Sequence, residues 1–301
     1  MIEADRLTRR YGEFVAASDV SFVIEPGAIV GLLGHNGAGK TTIMKMLTGY
    51  LEPSSGAARI DGIDVEQDPL TVQANLGYLP ENLPLYPELS VCDYLAFVAE
   101  LRGVSPRAAV RRAIAATELE EKALDLINTL SRGFKQRVGV AQAILHEPKF
   151  LILDEPTNGL DPSQTQHMRR LIQQLAGDAT VILSTHIMQE VDAICDRVLI
   201  LRGGELVLDE QMDALKASNR LFFRCGAGDV SAALAEVPGI ESLEPLEGGW
   251  QLAVAGDLDV AAERVAAALH TSAVPLRQLT AVQRDLETVF REVNEGTQHA
   301  A

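Results

Sequence analysis

The chain has 301 residues, 47% of them hydrophobic, and a formal net charge of −16. That length suits one large domain and a small one, with ample apolar material for a core. The acidic balance excludes a general nucleic-acid binder, whose phosphate contacts need clustered Lys and Arg. Any phosphate site must therefore work through local geometry, against the overall field. Cys92, Cys195 and Cys225 form no C-x-x-C pair and read as plain thiols of a reducing compartment. The N-terminus, MIEADRLTRRYG, lacks the apolar stretch of a secretory signal. No window approaches the ~18 uninterrupted apolar residues of a spanning helix, so work at a membrane would need a partner that supplies the membrane part.

Residues 2–25 carry apolar and β-branched residues broken by Tyr11-Gly12 and Asp19, the pattern of a small antiparallel sheet. Tyr11, at its edge in RRYGEF, suits either stacking on an adenine base or an ordinary half-buried place in a strand. Glu25-Pro26-Gly27 turns the chain into Ala28–Leu33 (AIVGLL), an apolar run that reads as a buried strand. Gly34–Thr42, GHNGAGKTT, follows, and Thr42–Leu51 has helical composition. The stretch fits G-x-x-x-x-G-K-[ST], with Gly34 and Gly39 as the fixed glycines, in the strand–loop–helix context of a phosphate-binding loop. Gly34, Asn36, Gly37, Ala38, Gly39, Lys40, Thr41 and Thr42 are the expected nucleotide contacts. Backbone N–H groups would close round the phosphates at the positive end of a helix. Lys40 can reach the β- and γ-phosphates, and the Thr41 hydroxyl can complete a Mg²⁺ shell.

Ala57–Val65 reads as a hairpin around Asp61-Gly62, and Asn75–Leu79 as a short strand. PENLPLYPELS (Pro80–Ser90) holds three prolines and cannot be a regular helix or central strand. Helical patterns at Val91–Arg102, Pro106–Leu119 and Ser131–His146 suggest a helical insertion, about 85–148, in an α/β domain of residues 1–218. Two further apolar runs, Phe150–Leu153 and Thr180–Leu183, end in Asp154-Glu155 and Ser184-Thr185-His186, and Val198–Leu208 reads as a last hairpin. Open α/β sheets place ligands at such strand ends. Asp154 can hold Mg²⁺ beside Thr41, Glu155 can deprotonate a water for attack on the γ-phosphate, and His186 can bond that phosphate. Ser131 is well placed as a helix N-cap, and with Gly133 it also makes an anion site, open as to which phosphate it meets.

From Arg220 to the end the composition shifts to six Arg, no Lys and twelve Asp or Glu. The order strand–helix–strand–strand–helix–strand, with an extra helix, is that of a split βαβ domain over 219–301, and the final GTQHAA is expected to fray.

Taken together, these stretches resemble an ATP-binding cassette (ABC) transporter ATPase subunit. GHNGAGKT resembles the Walker A motif, FLILDEP the Walker B, Asn158–Asp161 the D-loop, STH the switch histidine and LSRGFKQR the LSGGQ signature; Tyr11 falls at the adenine-stacking position. The match covers residues 2 to about 215. It implies a P-loop cassette fold with a parallel-sheet core, an N-terminal antiparallel subdomain and a helical subdomain, plus the small α+β domain. It also implies ATP and Mg²⁺ as ligands, and a head-to-tail homodimer that buries two ATP, with Ser131 and Gly133 serving the partner's γ-phosphate. A transmembrane permease would be driven from the cytoplasmic face, with membrane contact through that permease alone. Two motifs depart from the family: Arg132 and Phe134 replace a Gly and the Gln of the signature, and Glu81 replaces the Q-loop Gln, where it could still reach Mg²⁺. These departures and the C-terminal domain resemble export-type cassettes paired with separate six-helix permeases, the gliding-motility, antibiotic-efflux and copper-enzyme-maturation systems. Leu85 and Tyr86 stand where the family receives its permease, or else they pack on the helical subdomain. The competing reading is a non-transport cassette ATPase that remodels a cytosolic partner. The C-terminal domain reads as a dimerisation or regulatory module.

Overall fold

The computed structural model describes residues 1–282 and 284–295; residues 296–301, expected to fray, lie outside the described residues. Strands β1 (Ile2–Tyr11) and β2 (Phe14–Ile24) form a hairpin that closes on the pair Tyr11 and Phe14. β3 (Ile29–Leu33) is buried along its whole length, which is why IVGLL shows no alternation. It leads through the glycine loop into α1 (Lys40–Leu47). β4 (Ser55–Ile60) and β5 (Ile63–Asp64) complete an antiparallel sheet of order β2-β1-β4-β5. A short helix, α2 (Pro69–Asn75), capped by Asp68, precedes β6 (Leu76–Leu79).

The helical block is α3 (Val91–Leu101), α4 (Pro106–Ala116) and α5 (Arg132–Ile144). Ser90 and Ser131 cap α3 and α5 by accepting from the N–H groups of Asp93 and Phe134. Tyr94, Leu95, Val110, Ile114 and Val138 form a core of their own there. The chain then runs through β7 (Phe150–Asp154), α6 (Pro162–Leu175), β8 (Thr180–Thr185), α7 (Met188–Ile194), β9 (Arg197–Arg202), β10 (Glu205–Gln211) and α8 (Met212–Lys216). The central sheet has the order β10-β9-β3-β8-β7-β6 and is parallel apart from its β10 edge. Apolar side chains of α1 (Ile43, Met44, Leu47), the antiparallel sheet (Ile2, Val20, Ile24) and the parallel sheet (Val30, Ile152, Ile182) share one cluster. Burial of α1 between two sheets holds the preceding loop rigidly at the sheet's carboxyl edge.

The second part comprises β11 (Arg220–Cys225), α9 (Val230–Leu234), β12 (Ile240–Leu246), β13 (Gly249–Val254), α10 (Leu258–Thr271), β14 (Leu276–Ala281) and α11 (Leu286–Glu295). Its antiparallel sheet has the order β12-β13-β11-β14, so β13 separates β11 from β12, the split βαβ arrangement. Leu221, Phe223, Leu252 and Val254 pack with Val265 and Leu269 of α10. The chain divides into two compact units, Met1–Met212 with the described residues from Val293, and Asp213–Glu292. The boundary expected after residue 218 lies inside the second unit. The Arg284 N–H donates to the Lys216 carbonyl and the Ser218 hydroxyl to that of Val282, tying this segment to the second unit.

Candidate functional site

The loop Gly34–Gly39 leaves the carboxyl end of β3, where open sheets gather ligands. Gly39 caps α1 in the left-handed region, φ +102, and a Cβ there would lie 2.5 Å from the Ala16 carbonyl. No residue with a side chain fits, so the helix N-terminus can open directly onto the loop. Asn36, Gly37, Ala38, Gly39, Lys40, Thr41 and Thr42 line a cleft of about 530 Å³, with Glu81, Glu155 and His186 across from them. Lys40 is buried; its Nζ donates to the Gly34 carbonyl at 2.7 Å and stands 3.4 Å from Glu155 Oε1.

Pairing of β7 with β8 sets Asp154 opposite Ser184. The fully buried Ser184 hydroxyl donates to Asp154 Oδ1 and accepts the Glu155 N–H at 3.0 Å. Thr41 Oγ1 also reaches Asp154 Oδ1, at 3.3 Å. Glu155 sits at φ +50, an uncommon conformation for a side-chain-bearing residue and one that recurs at functional sites. Its Oε2 is 2.9 Å from His186 Nδ1; because a carboxylate accepts, Nδ1 carries the proton of that bond. A carboxylate held between an ammonium and an imidazole, in a polar cleft, is a fitting base for a water.

Asp154 does not line this cleft. It lines a second cavity, of about 400 Å³, together with Thr41 and Glu81, which border both. Asp154 Oδ2 is buried and has no hydrogen-bond partner among the described residues. An orphaned carboxylate oxygen beside a threonine hydroxyl is a donor set that suits a hard divalent cation. Tyr78 lines the same cavity, and burial, with Asp154, Tyr50 and Glu81 adding, pushes its phenol well above the ordinary value, so it stays protonated.

Tyr11, Ser131 and Gly133 are not brought to the cleft. Tyr11 is half exposed and carries the Arg9 guanidinium 4.7 Å above its ring; the aromatic residue at the cleft wall is Phe14, its hairpin partner. Ser131 is an exposed cap on α5, and Gly133 is covered by Gln164. The residues that sequence reasoning passed over are Phe14 and Ala16, which line the cleft together with Asn158 of the expected D-loop, and Ser184, which holds the Asp154 carboxylate and the Glu155 backbone N–H. Position opposite Tyr11 in a tight hairpin was the available signal for Phe14.

A glycine loop at a helix N-terminus, with a buried Lys and two strand-end carboxylates at its side, defines a P-loop nucleoside triphosphatase. The sequence model of the ABC transporter family matches residues 17–158. The bacitracin transport ATP-binding protein BcrA of Enterococcus faecalis is 34% identical over 240 residues, 78% of each chain. The linearmycin resistance ATP-binding protein LnrL of Bacillus subtilis is 35% identical over 211 residues, 69% of this chain and 68% of the relative. A solved ATP-binding subunit of an ABC transporter superposes with a TM-score of 0.65 at 32% identity, covering 71% of this chain and 91% of the other. The chain belongs to the ABC transporter ATP-binding family: it is an ATPase, the nucleotide-binding motor subunit of a transporter. The reading as a non-transport ATPase is not favoured by these relatives. Among the described residues, no helix is long and apolar enough to cross a membrane.

Proposed function

We propose that this subunit powers an exporter as a head-to-tail homodimer, binding two Mg²⁺–ATP between the glycine loop of one copy and Ser131 and Gly133 of the other. The observation that carries the reading is that Ser131 and Gly133, at the N-terminus of a helix suited to an anion, do not line their own chain's cleft. A second copy gives them a phosphate to meet.

In each cleft, the loop N–H groups and Lys40 bind the β- and γ-phosphates. Thr41, Asp154 and Glu81 would hold Mg²⁺, which when bound neutralises phosphate charge. Glu155 takes the proton of the attacking water, and His186, bonded to Glu155 at 2.9 Å, orients it and meets the γ-phosphate. The adenine lies against the hairpin end that carries Tyr11 and Phe14. Closure on ATP and opening after hydrolysis drive a separate permease at the inner face of the cell membrane. Relatives named for bacitracin transport and linearmycin resistance support the efflux direction. The exposed Tyr86, with its ring edge-on to Phe97 at 5.7 Å, is a candidate permease contact.

The test is the full chain with Glu155→Gln, purified from its native membranes with Mg-ATP. Hydrolysis should slow by ~10²–10⁴-fold, the share a positioned base supplies. An ATP-dependent dimer and a co-purifying multi-span protein are also expected. Hydrolysis at the parent rate would remove Glu155 as the base, and recovery of soluble partners alone would remove the permease.

A further inference from the structure

Two residues that line the second cavity, Asp154 and Tyr78, each carry a buried polar atom with no hydrogen-bond partner among the described residues, Oδ2 and the hydroxyl. The two atoms are complementary. The carboxylate oxygen accepts and lacks a donor, whereas the phenol has a proton to give and nothing that takes it. Burying a hydroxyl without a partner is destabilising, and phenylalanine would fill the same space without that penalty. Packing alone therefore gives no reason for a tyrosine here.

Sheet register brings the two residues together. β6 pairs with β7 in parallel, with Tyr78 opposite Ile152, and Asp154 lies two residues further along β7. Side chains two apart on a strand share a face, so Tyr78 and Asp154 project to the same side of the sheet. On that side Tyr78 packs against the cluster formed by Ile152 and α1, and Thr41 and Lys45 of α1 line the cavity as well. The two cations of the cavity are engaged elsewhere. The Lys45 ammonium stands over the Tyr50 ring at 5.9 Å, and an Arg102 N–H donates to the Gln73 carbonyl at 2.8 Å. A polar cavity of about 400 Å³ has room for water, which bridges such groups through about three bonds.

We infer that Tyr78 is a positioning residue for the divalent ion: its hydroxyl donates, through water in the second cavity, to Asp154 Oδ2 and fixes the orientation of that carboxylate. The inference rests on the reading of Thr41, Asp154 and Glu81 as the Mg²⁺ site. Asp154 Oδ1 is already held by the Ser184 and Thr41 hydroxyls, the latter at 3.3 Å. Oδ2 has only what the cavity supplies, so the direction in which the carboxylate faces a metal depends on that side. Hydrogen bonds behind a ligand orient it and raise its affinity for the ion.

The experiment is titration calorimetry of ATP into the full chain carrying Glu155→Gln, which hydrolyses slowly, once with EDTA and once with Mg²⁺. The ratio of the two affinities reports what the metal adds at the site. Adding Tyr78→Phe, which removes the hydroxyl and keeps the ring, should lower that ratio by about 10-fold, the lower end of the effect of a partner behind a metal ligand. The affinity in EDTA should stay as it was. Tyr50→Phe is the control: Tyr50 lines the same cavity but is 77% exposed, and its loss should leave the ratio alone. A Tyr78→Phe chain with the parental ratio overturns the inference, as does an equal weakening with EDTA and with Mg²⁺, which would make Tyr78 a packing residue. A parent that gains nothing from Mg²⁺ is a separate result; it sinks the metal reading itself and this inference with it.

Discussion

Replacing Ser184 with Ala tests how the Asp154 carboxylate and the backbone of Glu155 are held. The hydroxyl is fully buried, donates to Asp154 Oδ1 and accepts the Glu155 N–H. Without it, the Glu155 N–H keeps a second acceptor, the Ser184 carbonyl at 3.2 Å, so that half of the loss is small. Asp154 fares worse. Its Oδ1 retains the Thr41 hydroxyl at 3.3 Å, and its Oδ2 has no protein partner among the described residues. A hydrogen bond to a charged group contributes ~1.5–3 kcal/mol, and a buried carboxylate left short of donors loses a comparable amount. We expect a loss of about 2 kcal/mol, which lowers the unfolding midpoint of a unit this size by ~4–8 °C. Far-UV circular dichroism is the assay, because the single tryptophan, Trp250, lies in β13 of the second unit and reports the wrong part. Saturating Mg-ATP should recover part of the loss by binding the native state. A midpoint within ~1 °C of the parent would refute the argument that Ser184 carries this charge.

Two further outcomes are expected. Phe14→Ala should cost ~1–3 kcal/mol of ATP affinity by titration calorimetry, the usual range for a base-stacking aromatic. Tyr11→Ala should cost less, since Tyr11 stands off the cleft with Arg9 over its ring; the reverse order would return the base to Tyr11. Burial, with Arg102 adding, holds the His146 imidazole below its ordinary value of 6.5, against a bond to the Leu76 carbonyl at 3.1 Å. Its stability contribution is therefore complete above the unfolded value and declines as pH falls below it, because the unfolded chain takes up the proton first. His146→Gln should flatten the denaturation free energy between neutral and mildly acid pH; an unaltered slope would assign the dependence elsewhere.

Much of the site is legible in the sequence because its signals are local. Lys40 and Thr41 follow Gly39 on one short loop, and apolar runs that end in Asp154-Glu155 and in His186 announce strand ends without knowledge of the sheet. Short elements are not legible in this way. α2 is seven residues long and buries Val72 alone, too little for a periodic signal, and α8 has five residues. The cap at Ser131 was equally visible, yet its spacing from Gly34 along the chain says nothing of which phosphate it can meet.

Residue identity and spacing by themselves determine the phosphate loop, the candidate base, the helical insertion and the split βαβ order. Each depends on backbone freedom, periodicity or charge over a few residues. Tertiary structure decides what depends on which strands become neighbours. β8 lies between β3 and β7, and this order alone sets Ser184 beneath Asp154 and Glu155 within reach of Lys40 and His186. It likewise turns Phe14 rather than Tyr11 to the cleft, leaves Ser131 off it and seats Arg132 on Gly159. Pairing across a sheet is chosen by the burial and hydrogen bonding of the whole core, and no local stretch of chain carries that sum.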